Sequence, residues 1–469
     1  MLYSDSSIAD QPTDLCQTLE LIAQHGNAKE VLLVVQESID SLLQSTRSRD
    51  DNNEGSLLTN PAHVVWKWIN LINMYTLAFP RIVLRKRSAT DTAGPIIKHL
   101  CKSFDELQEY VHPNGAQAST IVDSCMGLGY ALLRWFDATH TEPNLVAEFK
   151  ALLQDLLFLS VAICLDDEFV LEQNSAFVDR LSAAGSDFRP PSLLEPVQVT
   201  TEFRMGEYIV FTLSERGKEN SVQVNKALQA YQLGISLCLR QYKWRQLAIR
   251  WLTEHVGMIP DEEYLDGDIA TYIAPSVSLV AATDSRPAIR SSAFRLLSQT
   301  LHKVHSEVAF GLVRQLVDEE CPYSNMRSSA VGLLRQLVVR AFSRKPQSTE
   351  DDPFAARILL QEYADILFAS SLLDDTLESV EAVDPQEMNR IIESLGFYYV
   401  VLARDKDNST GVRDAASVEK IDREFISLLN RRLPEWQSTS DNEDIQSALR
   451  LISFQLERVE EMIKSLKNP

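Results

Sequence analysis

The chain has 469 residues, more than one hydrophobic core usually holds, so it must form two or three domains or one elongated array. Its formal net charge of −21 argues against a nucleic-acid or anionic-membrane surface and favours partners with basic patches. Apolar residues make up 45%, interrupted by only 16 Gly and 18 Pro, which excludes wholesale disorder and leaves long helices open to the chain.

The first helical pattern covers residues 8–26, with Pro12-Thr-Asp as a start signal and Gly26 as a stop. A second, 29–46, places Val31, Leu32, Val35, Ile39 and Leu42 on one face, and 47–55 is a charged loop. The apolar helix 61–83 carries Trp66 and Trp68 and ends near the basic run 81–87. That run reads as a cationic helix C-terminus complementing the macrodipole, with a nuclear-import signal as the alternative. Residues 96–112, 121–136 and 145–164 give three more helices. The longest apolar run, 156–165, is too short to cross a bilayer.

Residues 186–219 contain Arg189-Pro-Pro, Pro196, a Val/Thr-rich stretch and Glu215-Arg-Gly-Lys-Glu, the main interruption, expected as a long loop or a domain joint. Helices resume at 221–239 and 243–256, followed by an acidic loop at 261–268. Six cysteines, at 16, 101, 125, 164, 238 and 321, form no CxxC pair, as expected of buried thiols in a reducing compartment. The polar, acidic opening lacks a signal-peptide pattern, so the expected location is the cytoplasm, with the nucleus also open.

A segment then occurs twice. Ser285-Arg-Pro-Ala-Ile-Arg-Ser-Ser-Ala-Phe-Arg-Leu-Leu aligns with Pro322-Tyr-Ser-Asn-Met-Arg-Ser-Ser-Ala-Val-Gly-Leu-Leu at an offset of 37 residues. In the first copy Ile289, Ala293, Leu296, Leu297 and Leu301 share one helical face, and Ala293 and Ala330 are small mid-face residues that let a neighbouring helix approach. A period in the high thirties, with a turn before each apolar helix, predicts an all-α, HEAT-like α-α superhelical solenoid. The expected organisation is an N-terminal helical domain at 1–185, the joint at 186–219, HEAT-like repeats at 220–345 and a C-terminal partner-binding region at 346–469. Within the last, 346–352 is an acidic loop and 354–372, 385–404 and 418–433 are helices. The final helix, 445–466, sets Leu449, Ile452, Leu456, Val459 and Ile463 against Glu457, Arg458, Glu460 and Glu461.

Candidate chemistry is sparse. His302 and His305 stand one turn apart, as a metal pair would, but no further ligand has matching spacing, and a solvated helix surface is the better reading. Asp166-Asp-Glu168 reads as a polar loop ending an apolar helix, and Gly127-Leu-Gly129 as a close helix contact rather than a dinucleotide loop. No GxSxG, Walker, kinase or HExxH pattern occurs, and Asn408-Ser-Thr has the glycosylation form without an export signal. No catalytic, cofactor or metal residue is assigned, and a non-enzyme is expected.

Two stretches resemble one family. Cys321 to Arg335 is similar to a characteristic segment of the glomulin family, which includes the plant lateral-root-formation protein and the fungal Yap-binding proteins. Leu395-Gly-Phe-Tyr-Tyr-Val-Val-Leu-Ala-Arg-Asp-Lys-Asp-Asn-Ser-Thr-Gly-Val412 resembles the family's helix that closes with Asn-x-Thr-Gly. Leu395, Leu402, Arg404, Asp405, Asn408, Thr410 and Gly411 fall on that pattern, whereas Gly396 stands where Asn is expected. The resemblance covers about 180 residues at the C-terminal end and implies a HEAT-like helical protein without catalysis; a monomer is the expected state. By resemblance its partner is either the RING subunit of a cullin-RING ubiquitin ligase, whose recruitment of the conjugating enzyme it would block, or a redox-responsive basic leucine-zipper transcription factor of the oxidative stress response. A kinetochore-associated scaffold is the alternative. The partner surface is expected at Arg404, Asp405, Asn408, Thr410 and Gly411 with Glu457, Glu460 and Glu461.

Overall fold

The computed structural model describes residues 13–47, 61–85, 87–108, 115–138, 142–166, 170, 175–190, 200–214, 224–343, 352–368 and 384–467. Among them every regular element is a helix, as the 3.6-residue periodicity requires. Two compact units divide the chain, one of Met1–Val222 with Ala230–Ala248 and the other of Gln223–Gln229 with Ile249–Pro469. Several expected features lie outside the described residues: positions 8–12 and 109–112, the loop 48–55, Lys86, Asp167 and Glu168, the stretches 191–199 and 215–219, the loop 346–351, and positions 369–372.

In the first unit lie α1 (Thr13–His25), α2 (Ala28–Arg47), α3 (Pro61–Ala78), a 3-10 turn (Phe79–Arg81), α4 (Ala89–Gln108), α5 (Gly115–Asp137), α6 (Pro143–Cys164), α7 (Ser175–Asp187) and α8 (Thr201–Ser214). Alternate helices pack together: α1 on α3, α3 on α5, α4 on α6 and α6 on α8. The apolar run 156–165 is the reason α6 is central, for all ten of its residues are buried. No described helix is long and apolar enough to cross a membrane. Phe136 stacks on Phe149 with ring centroids 4.4 Å apart, and Trp68 meets Phe104 edge-on at 5.4 Å. Gly206 lets α8 approach α6 closely; a Cβ there would lie 2.0 Å from the Phe158 carbonyl oxygen.

Three expectations change. Helix α4 begins at Ala89 rather than 96, because Ser88 and Asp91 form a reciprocal cap: Asp91 N donates to Ser88 Oγ at 3.0 Å and Ser88 N to Asp91 Oδ2 at 3.3 Å. Arg81 does meet a helix C-terminus, but that of α1, donating to the carbonyls of Ala23 (2.6 Å) and Gly26. Within 186–219, residues 201–214 form α8, whose Phe203, Tyr208, Ile209 and Leu213 are buried at helical spacing despite the Val and Thr content.

The helices α9 (Val224–Arg240) and α10 (Arg245–Met258) contribute residues to both units. In the second unit follow α11 (Gly267–Thr283), α12 (Pro287–Lys303), α13 (Ser306–Val317), α14 (Ser324–Ser343) and α15 (Ile358–Phe368). The twice-occurring segment forms the turn and helix of α12 and of α14. Ile289, Ala293, Leu296, Leu297 and Leu301 are buried in the first, and Ala330, Leu333 and Leu334 in the second. The correspondence runs further than the identities. Lys303 Nζ donates to the Ile259 carbonyl at 2.5 Å and, 37 residues on, Arg340 donates to the His302 carbonyl, each capping the end of an earlier helix. The turns themselves differ. Asp284, buried, accepts from Arg286 N at 2.9 Å in the first copy, while Cys321 occupies that place in the second. Five cysteines are buried and Cys16 is half-buried, all as free thiols.

Candidate partner-binding surface

The two stretches that carry the resemblance fold against each other, Cys321 to Arg335 largely on α14 and Leu395 onward on α16 (Pro385–Arg404). Helix α16 starts where the sequence signals it: Pro385 is the first helical residue, and Asp384 Oδ1 accepts from Gln386 N at 2.9 Å. Met388, Ile391, Leu395, Tyr398 and Leu402 form its buried stripe. Arg390 caps α15 by donating to the Ile366 and Leu367 carbonyls at 3.0 and 3.2 Å. Gly396 makes room for an ion pair between the two helices. Arg335 Nη1 lies 3.0 Å from Glu393 Oε2, and a Cβ at 396 would stand 2.6 Å from that same nitrogen.

The loop after α16 closes on itself. Asp405 is buried, and its carboxylate accepts from Ser409 N (2.8 Å), Ser409 Oγ (3.1 Å), Thr410 N (2.8 Å) and Thr410 Oγ1 (2.5 Å). Asn408 has φ 56° and Gly411 φ 75°, the left-handed conformation that a tight reversal needs and that these residue types tolerate best. The Asn408 amide donates to Asp414 Oδ1 at 2.6 Å and accepts from Arg413 N at 2.8 Å. Arg413 then returns to α16, its Nη2 donating to the Leu402 carbonyl at 2.6 Å. The stretch Asn408 to Gly411 thus builds a closed turn whose polar atoms pair internally.

Next come α17 (Ala415–Ile421), a π-helical turn (Asp422–Ile426), α18 (Ser427–Thr439) and α19 (Glu443–Lys467). The extra residue of the π-helical turn brings Ile421, Phe425, Ile426 and Leu429 to the buried side together. In α19 the stripe Leu449, Ile452, Leu456, Val459 and Ile463 is buried, and the helix packs on α16 and α18. Arg458 lies over the Tyr399 ring, 4.0 Å from its centroid, within the last two turns of α16.

The expected surface residues divide by burial. Arg404, Glu457 and Glu461 are exposed; Asn408 and Glu460 are half-buried, Glu460 accepting from Asn430 Nδ2 at 2.5 Å; Asp405, Thr410 and Gly411 are buried. Buried members shape the loop and cannot touch a partner directly, so the surface that the loop offers is Arg404, Lys406, Asp407 and Ser409. Sequence reasoning missed Arg413 and Asp414, although a basic residue just past a helix end was a signal for carbonyl capping. It also missed Leu451 and Phe454, which lie off the buried stripe and are exposed. Elsewhere, His302 Nδ1 engages the Ser298 carbonyl at 2.7 Å and His305 stacks on Tyr264 at 3.8 Å. Gly129 makes the expected close contact, with Phe188, but Gly127 faces nothing within 4 Å. Asp166 is exposed.

These features define a class, an all-α protein of packed helices that holds a rigid loop and a charged helix face at its C-terminal end. Residues 250–463 match the model of a family described as an uncharacterised protein family, YAP/Alf4/glomulin. Over that segment, a little under half of the chain, the sequence is similar to the YAP/Alf4/glomulin family. No curated protein matches it.

Proposed function

We propose that the chain is a non-catalytic protein-binding regulator whose C-terminal family segment captures the RING subunit of a cullin-RING ubiquitin ligase and blocks recruitment of the ubiquitin-conjugating enzyme. The match of 250–463 to a family whose description includes glomulin supports this reading. The observation that carries it is the exposed carboxylate pair Glu457 and Glu461 on a helix packed against α16, whose end bears the family's turn. A rigid acidic face suits a basic partner because oriented charges speed encounter and reject wrong partners. The net charge of −21 favours equally a second partner, a basic leucine-zipper transcription factor of the oxidative stress response. A scaffold subunit, such as a kinetochore-associated protein, is the reading from another class.

The test is a reconstituted ubiquitin-transfer assay with the full chain. Inhibition at stoichiometric dose is expected, together with weaker and more salt-sensitive binding for Glu457→Lys with Glu461→Lys. Unchanged affinity of the double reversal at low salt removes α19 from the interface. Loss of binding on deleting residues 1–185 alone moves the site to the other end, and full activity at stoichiometric dose with no RING binding leaves the scaffold reading.

A further inference from the structure

We infer that the face of α19 is a polarised apolar docking site, anchored by Phe454 and Leu451, for a partner segment that carries an apolar side chain between a basic end and an acceptor end. The inference rests on the partner-binding reading above and specifies what that site recognises. Phe454 and Leu451 are 55% and 53% exposed, adjacent on the helix at i and i−3, and on the side opposite the buried stripe. Single exposed apolar side chains are common and mean little. This pair differs because a held cation completes it. Arg458, one turn on, sits with its guanidinium 4.0 Å from the Tyr399 centroid and 5.7 Å from that of Phe454. An arginine fixed between two rings loses little freedom on binding, and aromatic and arginine side chains are the residue types that dominate interface energetics.

Charge sets the polarity of the site. Toward the C-terminal end, Glu457 and Glu461 are exposed and make no ion pair among the described residues; toward the N-terminal end, Arg450 is exposed and likewise unpaired. These residues fall at −4, +3 and +7 from Phe454 on one face. A partner therefore needs Lys or Arg over Glu457 and Glu461, an apolar anchor over Phe454 and Leu451, and a carboxylate or carbonyl over Arg450. Orientation is thereby fixed as well as affinity.

The experiment titrates the full chain and its variants against the RING subunit and, separately, a basic leucine-zipper factor, with melting curves to confirm that the exposed substitutions leave the fold intact. Phe454→Ala is expected to weaken binding at least about tenfold, Leu451→Ala less, and Arg450→Glu also to weaken it. The last result discriminates, since a merely acidic face would bind a basic partner more tightly after Arg450→Glu. If Phe454→Ala and Leu451→Ala bind as wild type while Glu457→Lys with Glu461→Lys weakens binding, the docking site is overturned and the partner reading stands. Binding of neither titrant by the wild type overturns both. Self-association that Phe454→Ala abolishes assigns the face to a second copy and overturns the inference.

Discussion

Each unit buries at least one aspartate, and Asp155 and Asp405 are treated differently. In the first, Asp155 sits 3% exposed in the middle of α6, and its Oδ1 finds no hydrogen-bond partner among the described residues. Burial pushes its carboxyl up to about 7, against the opposing pull of the Lys98 charge. In the second, Asp405 is 1% exposed but accepts four hydrogen bonds from Ser409 and Thr410. The same side chain is a cost where helices crowd it and an organiser where a turn surrounds it. Local partners decide which, because a turn can fold around its own acid while a helix face has its backbone donors already engaged.

That comparison can be pushed to its extreme by adding a bare carboxylate where none exists. Ala293 and Ala330 are fully buried at the equivalent positions of α12 and α14. Ala293→Asp and Ala330→Asp should each destabilise the fold by about 4 kcal/mol or more, since a carboxylate would enter a fully buried helix face. Thermal or urea unfolding measures it; wild-type melting would mean that these faces do not bear the packing load. Asp405→Ala comes next, at about 3 kcal/mol, because Ser409 N and Thr410 N lose their acceptor in a closed turn. A loss under about 0.5 kcal/mol would show that Arg413 and Asn408 hold the loop without it.

The bare acid that nature retained gives a pH-dependent effect. The Asp155 carboxyl titrates near 7 in the folded chain and near 3.8 when unfolded. Its contribution is therefore most favourable below about pH 4 and is lost as pH rises toward 7, because the folded state keeps a proton that the unfolded state gives up. Asp155→Asn should remove this slope, gaining a few kcal/mol, at most about 4, at pH 8 relative to wild type and almost nothing at pH 4. Parallel pH profiles for the two proteins would mean that the carboxylate is stabilised by solvent or by Lys98.

These contrasts also mark how far the sequence could be read. Helix α16 was legible to the residue because Asp384-Pro385 starts it and Asp405 ends it, both local signals. The stripe of α19 and the repeat faces were legible because one period ran through them. Burial of Asp405 was not, since an Asp followed by Lys406, Asp407 and Asn408 reads equally as the start of an exposed polar loop. Helix α8 was hidden because Val and Thr suggested an irregular stretch, and what holds it is tertiary: Gly206 against Phe158, 48 positions earlier in the chain. Arg81 reaching Ala23 and Lys303 reaching Ile259 are likewise contacts between segments that no local window joins.

The smallest effect completes the series with carboxylates that face water. Glu457 and Glu461 are exposed and make no ion pair among the described residues, so solvent already supplies what Asp155 lacks and what Ser409 and Thr410 give to Asp405. Glu457→Lys with Glu461→Lys should therefore shift stability by less than about 0.5 kcal/mol in either direction. Its sign depends on neighbours: a lysine at 461 meets Arg458 at i−3, Lys464 at i+3 and the lysine at 457 at i−4, a small repulsion, while positive charge toward the C-terminal end of α19 suits the helix dipole. The two terms are of similar size and opposite sign, so urea midpoints for the variant and wild type should coincide at both low and high salt. A loss above about 1 kcal/mol would show that these acids serve the fold, leaving any accompanying loss of binding explained by structure rather than by contact with a partner.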